Sequence, residues 1–193
     1  MIEIIPHQPR WRDEFLDIGS RIRAVLGNHA LRIDHIGSTS VPDLAAKDVI
    51  DLQVTLADFE QIEEVRKRLE TMGLVFRHHG VYDTVRPDWS NDERDWEKAY
   101  FREGAGQKRT HIHVRAEGRA NQRYALIFRD YLRAHPKIAT HYAAMKYQMA
   151  AYFGSSNDRT RYGDGKDPMV DLIATLAKEW AEQTGWNAGT SDS

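Results

Sequence analysis

The chain has 193 residues, 41% of them hydrophobic and 29% charged, with a formal net charge of −2 and no cysteine. That is enough for one domain with a real core, and it is too near neutral for a sequence-blind grip on nucleic acid. The missing thiols exclude disulfides, thiolate nucleophiles and zinc–thiolate sites, no apolar run reaches the length of a membrane span, and the N-terminal residues carry no signal-peptide pattern. Neither nucleic acid nor membrane is expected as a partner, and a cytoplasmic location is the expectation.

Ile2, Ile4 and Ile5 can form a short strand before Pro6. A helix is predicted over residues 12–26, where Phe15, Ile18, Ile22, Val25 and Leu26 recur at helical spacing and Gly27 suits the stop. Residues 31–36 and 49–54 read as strands on either side of a sharp turn at Gly37-Ser38. Asp58 can cap a helix whose apolar face is Phe59, Ile62, Val65, Leu69 and Met72, ended by Gly73, and a strand at 74–78 follows. Residues 82–97, rich in charge, Pro and Trp, read as a long loop of the kind that often serves function. Strands at 98–102 and 110–115 come next.

Beyond Gly118 the pattern turns helical. One helix runs over 121–134, and a second after Pro136 carries Ile138, Tyr142, Met145, Met149 and Phe153. A Gly- and Asp-rich loop is predicted over 154–165. The last helix has Asp167 as cap, Pro168 in its first turn, and Met169, Leu172, Ile173, Leu176 and Trp180 on one face. The sum is an α+β domain over residues 1–186, with a sheet-containing core at 1–118, a helical part at 119–186 and a loose polar tail at 187–193.

Chemistry concentrates in two places. Gly37 lets the backbone approach a ligand, and turn amides beside the Ser38, Thr39 and Ser40 hydroxyls can hold a phosphate. Asp51 interrupts an apolar strand, where a carboxylate is costly unless paired or metal-bound, so it is a candidate ligand for a divalent cation. Asp34, near the end of the preceding strand, is a candidate second ligand. His111 and His113, two apart on a strand, share a face. They can ligate a metal, orient a substrate or act as a general base, or they can simply line a polar sheet face. Lys47, Arg102, Arg109, Arg115, Arg129, Arg133 and Lys146 are candidate phosphate contacts.

The run HIGSTSVP-x-LAAK-x-VID over 35–51, the segment THIHV at 110–114 and the segment FRDYLRAHP at 128–136 resemble the GrpB-like (UPF0157) family of small bacterial proteins. The similarity covers nearly the whole chain. It implies the nucleotidyltransferase superfamily with the DNA polymerase β-like fold, a mixed sheet flanked by helices. That superfamily's pattern is a Gly-Ser turn followed by an acidic–hydrophobic–acidic triplet; here Gly37-Ser38 is the turn and Asp51-Leu52-Gln53 falls where the triplet belongs. The resemblance implies Mg²⁺ and ATP or another nucleoside triphosphate, with a nucleotidyl group passed to a small-molecule acceptor; an ATP-dependent ligase falls within this class. In that scheme Gly37, Ser38, Thr39, Ser40, Lys47 and Arg115 bind the nucleotide, Asp51 and Asp34 hold the metal, and Asp51, His111 and His113 are catalytic.

Three departures complicate this. Gln53 replaces the second acid and cannot bridge two metals. Asp43 and Asp48 stand where the family usually has Gly and Pro, and they can add cation ligands or repel a nucleotide. Two alternatives follow: a non-catalytic accessory protein binding a nucleotide or CoA precursor, as family members fused to dephospho-CoA kinase imply, and a His-based metal-dependent hydrolase or lyase.

Overall fold

The computed structural model describes residues 2–153 and 159–193, without the side chains of residues 159 and 160. The elements run α1 (Arg10–Leu26), β1 (Arg32–Ile36), β2 (Ile50–Leu56), α2 (Ile62–Thr71), β3 (Val75–Phe76), β4 (Ala99–Arg102), β5 (Thr110–Ala116), α3 (Ala120–Ala134), α4 (Pro136–Phe153) and α5 (Arg159–Thr184). The five strands form one sheet in the order β1-β2-β5-β4-β3. The central β2–β5 pair is parallel, and the other pairs are antiparallel. This is the expected α+β arrangement, a mixed sheet flanked by helices.

Side-chain alternation sorts the sheet into two faces. Ile33, Leu52, Val54, Ile112, Val114 and Phe101 turn toward α1 and α2 and pack with Trp11, Phe15, Ile22 and Leu69 into the main core. Each such side chain fully buried contributes about 1.5–3 kcal/mol. The register makes the other face mostly polar: Ile36, Asp51, His111 and Arg102 in one row, Asp34, Gln53, His113 and Tyr100 in the next, then Arg32, Thr55 and Arg115. Helices α3, α4 and α5 form the layer on that side, joined by a second cluster that includes Val41, Leu44, Ile127, Leu132, Ile173 and Ala177.

Three expectations need correction. Of the predicted loop, residues 154–158 lie outside the described residues, and 159–165 are already helical, so Asp167 is no cap and Pro168 sits inside α5. At Gly165, α5 passes close to α4, and an added Cβ would meet the terminal methyl of Met149, a flexible side chain that can give way. The apolar face of α5 is also rotated. Leu172 and Leu176 are exposed, while Val170, Ile173, Ala174, Ala177 and Ala181 are buried, because small residues permit close packing on α3. Finally, the tail at 187–193 is tied along the outer edge of β1. Ser191 Oγ accepts from the Ile33 amide at 2.8 Å and donates back to the Ile33 carbonyl, the Ser193 amide donates to that carbonyl, and the His35 amide donates to Asp192. No helix among the described residues is long and apolar enough to cross a membrane.

Candidate functional site

The site is built where β1 ends. Gly37 has φ +69°, and a Cβ added there would lie 2.5 Å from Asp51 Oδ2. Both the backbone conformation and the closeness of the carboxylate require glycine. The turn that follows, Ser38–Ser40, is a single 3-10 turn. Thr39 Oγ1 is 3.0 Å from the buried His35 Nε2, and Ser40 Oγ donates to the Gly37 carbonyl at 2.6 Å. Of the three hydroxyls expected to hold phosphate, only Ser38 is engaged from the ligand side: its Oγ accepts from Lys146 Nζ at 2.9 Å.

A cavity of about 350 Å³ opens between this turn, the polar sheet face and the helical layer. Gly37, Ser38, Thr39, Lys47, Asp51, His111 and His113 all line it, as expected from the alternation of β2 and β5. The helices supply further walls, of which only Lys146 was expected to meet a ligand: Tyr124 and Phe128 from α3, Tyr142 and Lys146 from α4, Tyr162 and Lys166 from α5. Lys146 stood only among seven candidate cations. Its position four residues after Tyr142, on the buried stripe of α4, was the available signal.

Three expected site residues lie elsewhere. Asp34, expected as a metal ligand, is fully buried and held by both Arg32 Nε and Nη2 at 3.0 and 2.8 Å. Arg115, expected at the phosphates, donates to Gln53 Oε1 at 2.6 Å and to Asp83 Oδ2 at 2.7 Å. Its charge is spent neutralising Asp83, whose carboxyl sits well below the usual range because Arg115 and Lys98 outweigh the cost of burial. Ser40 lines a different cavity, on the α1 side of the turn, with Thr39 as the shared wall. Nor do the two unusual acids add ligands: Asp48 binds Trp11, Arg10 and Lys108, and Asp43 is exposed at φ +60°.

The charges in the cavity are unequal. Burial works against the Asp51 carboxylate, yet the hydrogen bond and charge of His111, with His113 and Lys47, hold its pKa below the ordinary value. His111 Nδ1 lies 2.9 Å from Asp51 Oδ1. Burial first, then Arg115 and Lys98, keep His113 neutral well below the usual imidazole range. Burial together with Lys166 and Lys47 brings Lys146 down to about 7. The cavity thus gathers three amines, one carboxylate, two imidazoles and several aromatic rings.

The chain as a whole is similar to several known proteins. The dephospho-CoA kinase of Mycobacterium leprae is 31% identical over 95% of this chain and 48% of its own length. The chain thus spans about half the length of the first curated relatives it matches. The crystal structure of conserved protein GrpB from Enterococcus faecalis superimposes with a TM-score of 0.75 at 28% identity, covering 92% of this chain and 99% of that one. Cid1 in complex with a UTP analog overlaps 77% of this chain and 43% of its own at 13% identity and a TM-score of 0.48, a likeness too slight to bear on chemistry. The profile of the family described as "GrpB protein" matches residues 1–175, and the chain belongs to the GrpB family.

Proposed function

We propose that this chain binds ATP or another nucleoside triphosphate and passes a nucleotidyl group to a small-molecule acceptor. The observation that carries the reading is the single cavity joining the Gly37-Ser38 turn, Lys47, Lys146 and Lys166 to Asp51, His111 and His113. Amines and the turn hydroxyl suit a polyphosphate, whose charge they would offset as it shifts during transfer. Tyr124 and Phe128, stacked on each other at 6.1 Å, give the same cavity an aromatic wall. Asp51 and the imidazoles stand where an acceptor oxygen would lose its proton before attacking the α-phosphorus, with pyrophosphate leaving. The wall that would hold Mg²⁺ does not match that ion's preference for an oxygen cage, since Asp34 and Gln53 are tied to arginines and only Asp51 offers carboxylate oxygens.

A second reading is favoured by Gln53. Its amide is committed at both ends, accepting from Arg115 and donating to the Gln122 carbonyl, so the second acid of the triplet is replaced by a structural strut. Such a site can hold a nucleotide or CoA precursor without turning it over. Thermal shift and pyrophosphate release separate the two. At a hundredfold excess over Kd a nucleotide stabilises by about 2.7 kcal/mol, which raises Tm by roughly 5–10 °C in a chain of this size. The first reading expects that shift with at least one nucleoside triphosphate, its loss in Lys146→Ala, and release of pyrophosphate. A shift without pyrophosphate supports the accessory role. No shift with any nucleotide or CoA precursor sinks both.

A further inference from the structure

Asp51, His111 and His113 form the one grouping of metal-capable side chains among the described residues, with a carboxylate oxygen and two ring nitrogens all within 4.8 Å of one another. The three sit side by side because the parallel β2–β5 register places Asp51 opposite His111 and Gln53 opposite His113. Two ring nitrogens are left over: His111 Nε2 and His113 Nδ1 are buried and have no hydrogen-bond partner. A buried polar atom without a partner costs about 1–3 kcal/mol, and these two nitrogens, on residues that line a cavity, can gain a partner from a bound group. All three side chains face a cavity open to a ligand.

From these observations we infer that Asp51, His111 and His113 hold a divalent first-row transition ion of the zinc type, rather than Mg²⁺. The donor chemistry decides between the ions. Mg²⁺ demands oxygen ligands in a near-ideal octahedron, and this wall offers one carboxylate. Two imidazoles and one carboxylate are a set that zinc and its neighbours accept, with a further position left for water or substrate. Metal–ligand bonds of about 2.1 Å hold donors up to roughly 4 Å apart, so a small side-chain rotation closes the set around an ion. The inference rests on the proposed function only for the ion's use: bound by these three side chains, it would activate the acceptor oxygen in place of a proton-accepting side chain, and the binding itself needs no nucleotide.

The test uses the full chain, stripped of metal by chelator and dialysed, with folding of every variant checked by circular dichroism. Isothermal titration with Zn²⁺, Mn²⁺ and Mg²⁺ in the absence of nucleotide is expected to show one Zn²⁺ per chain, bound at least a hundredfold more tightly than Mg²⁺. His113→Gln and Asp51→Asn should each weaken Zn²⁺ by tenfold or more, while His79→Gln, at an exposed position, should leave it unchanged. Equal or tighter binding of Mg²⁺ would overturn the inference. So would Zn²⁺ binding that persists undiminished in the His113 and Asp51 variants, which would place it on surface histidines. Zinc binding with no nucleotide shift keeps this inference and removes the transfer reading; a nucleotide shift with no zinc binding does the reverse.

Discussion

The two faces of the sheet use the same strands for opposite ends. Toward α1, every second residue of β2 and β5 is apolar and almost fully buried, from Ile50 to Leu56 and from Ile112 to Ala116. Toward α3–α5, the alternate residues are Asp51, Gln53, Thr55, His111, His113 and Arg115. That polar face is itself divided. At the β1 start, acids and arginines satisfy each other: Asp34 with Arg32, Asp83 with Arg115. At the Gly37 end, Asp51 and the imidazoles face an open cavity. A buried charge closed by its own partner serves stability, and one left facing a hollow is available to a ligand.

The sharpest way to break this contrast is on the apolar face. Leu52→Ala removes a fully buried side chain and should cost about 4 kcal/mol, read as a lowered urea midpoint; a loss under about 1 kcal/mol would mean that face is not the stabilising one. Next comes the closed polar end. Arg115→Met leaves the Asp83 carboxylate with Lys98 and the Asn121 amide and should cost about 3 kcal/mol, much of it recovered by adding Asp83→Asn; a neutral Arg115→Met would make the pair incidental.

At the open end the expected effect is on binding. The Lys146 amine, lowered to about 7, carries its charge below that pH and loses it above, with Lys47 and Lys166 opposing the charge and Asp51 favouring it. Affinity for sulfate, whose own charge is constant, should therefore fall roughly tenfold from pH 6 to pH 8, when about a tenth of the amine stays charged. Lys146→Gln should flatten the profile, and a wild-type profile already flat would remove Lys146 from the anion site. The smallest effect is at an exposed turn. Asp43 holds φ +60°, so Asp43→Gly should raise stability by at most about 1 kcal/mol; a loss would show that its side chain does more than tolerate the turn.

The element order was legible because apolar spacing is a local signal, and most strands and helices begin within a few residues of expectation. The meeting of Gly37, Asp51 and the two histidines was legible for a related reason: strand alternation and one sharp turn leave few other arrangements. What escaped was set by tertiary partners. Nothing local to Arg115 announces Asp83, which sits 32 residues away in an irregular stretch. Asp34 and Arg32 are two apart on one strand face, a pairing that spacing permits but does not require. Lys146 looked like any other helix charge until α5 closed over it. The start of α5 was hidden because Gly163, Gly165 and Pro168 argue against a helix, and the packing of α5 on α3 and α4 overrides them.

The residues tied along β1 have a bearing on how this protein behaves in concentrated solution. A sheet margin with bare amides and carbonyls recruits strands from other molecules. Here Ile33 and His35 would present such a margin, and Ser191, Asp192 and Ser193 occupy it with three residues that are too short and too polar to be a strand themselves. The chain thereby shields this border with a few hydroxyls and one carboxylate, and a version trimmed of residues 191–193 would be expected to find its neighbours.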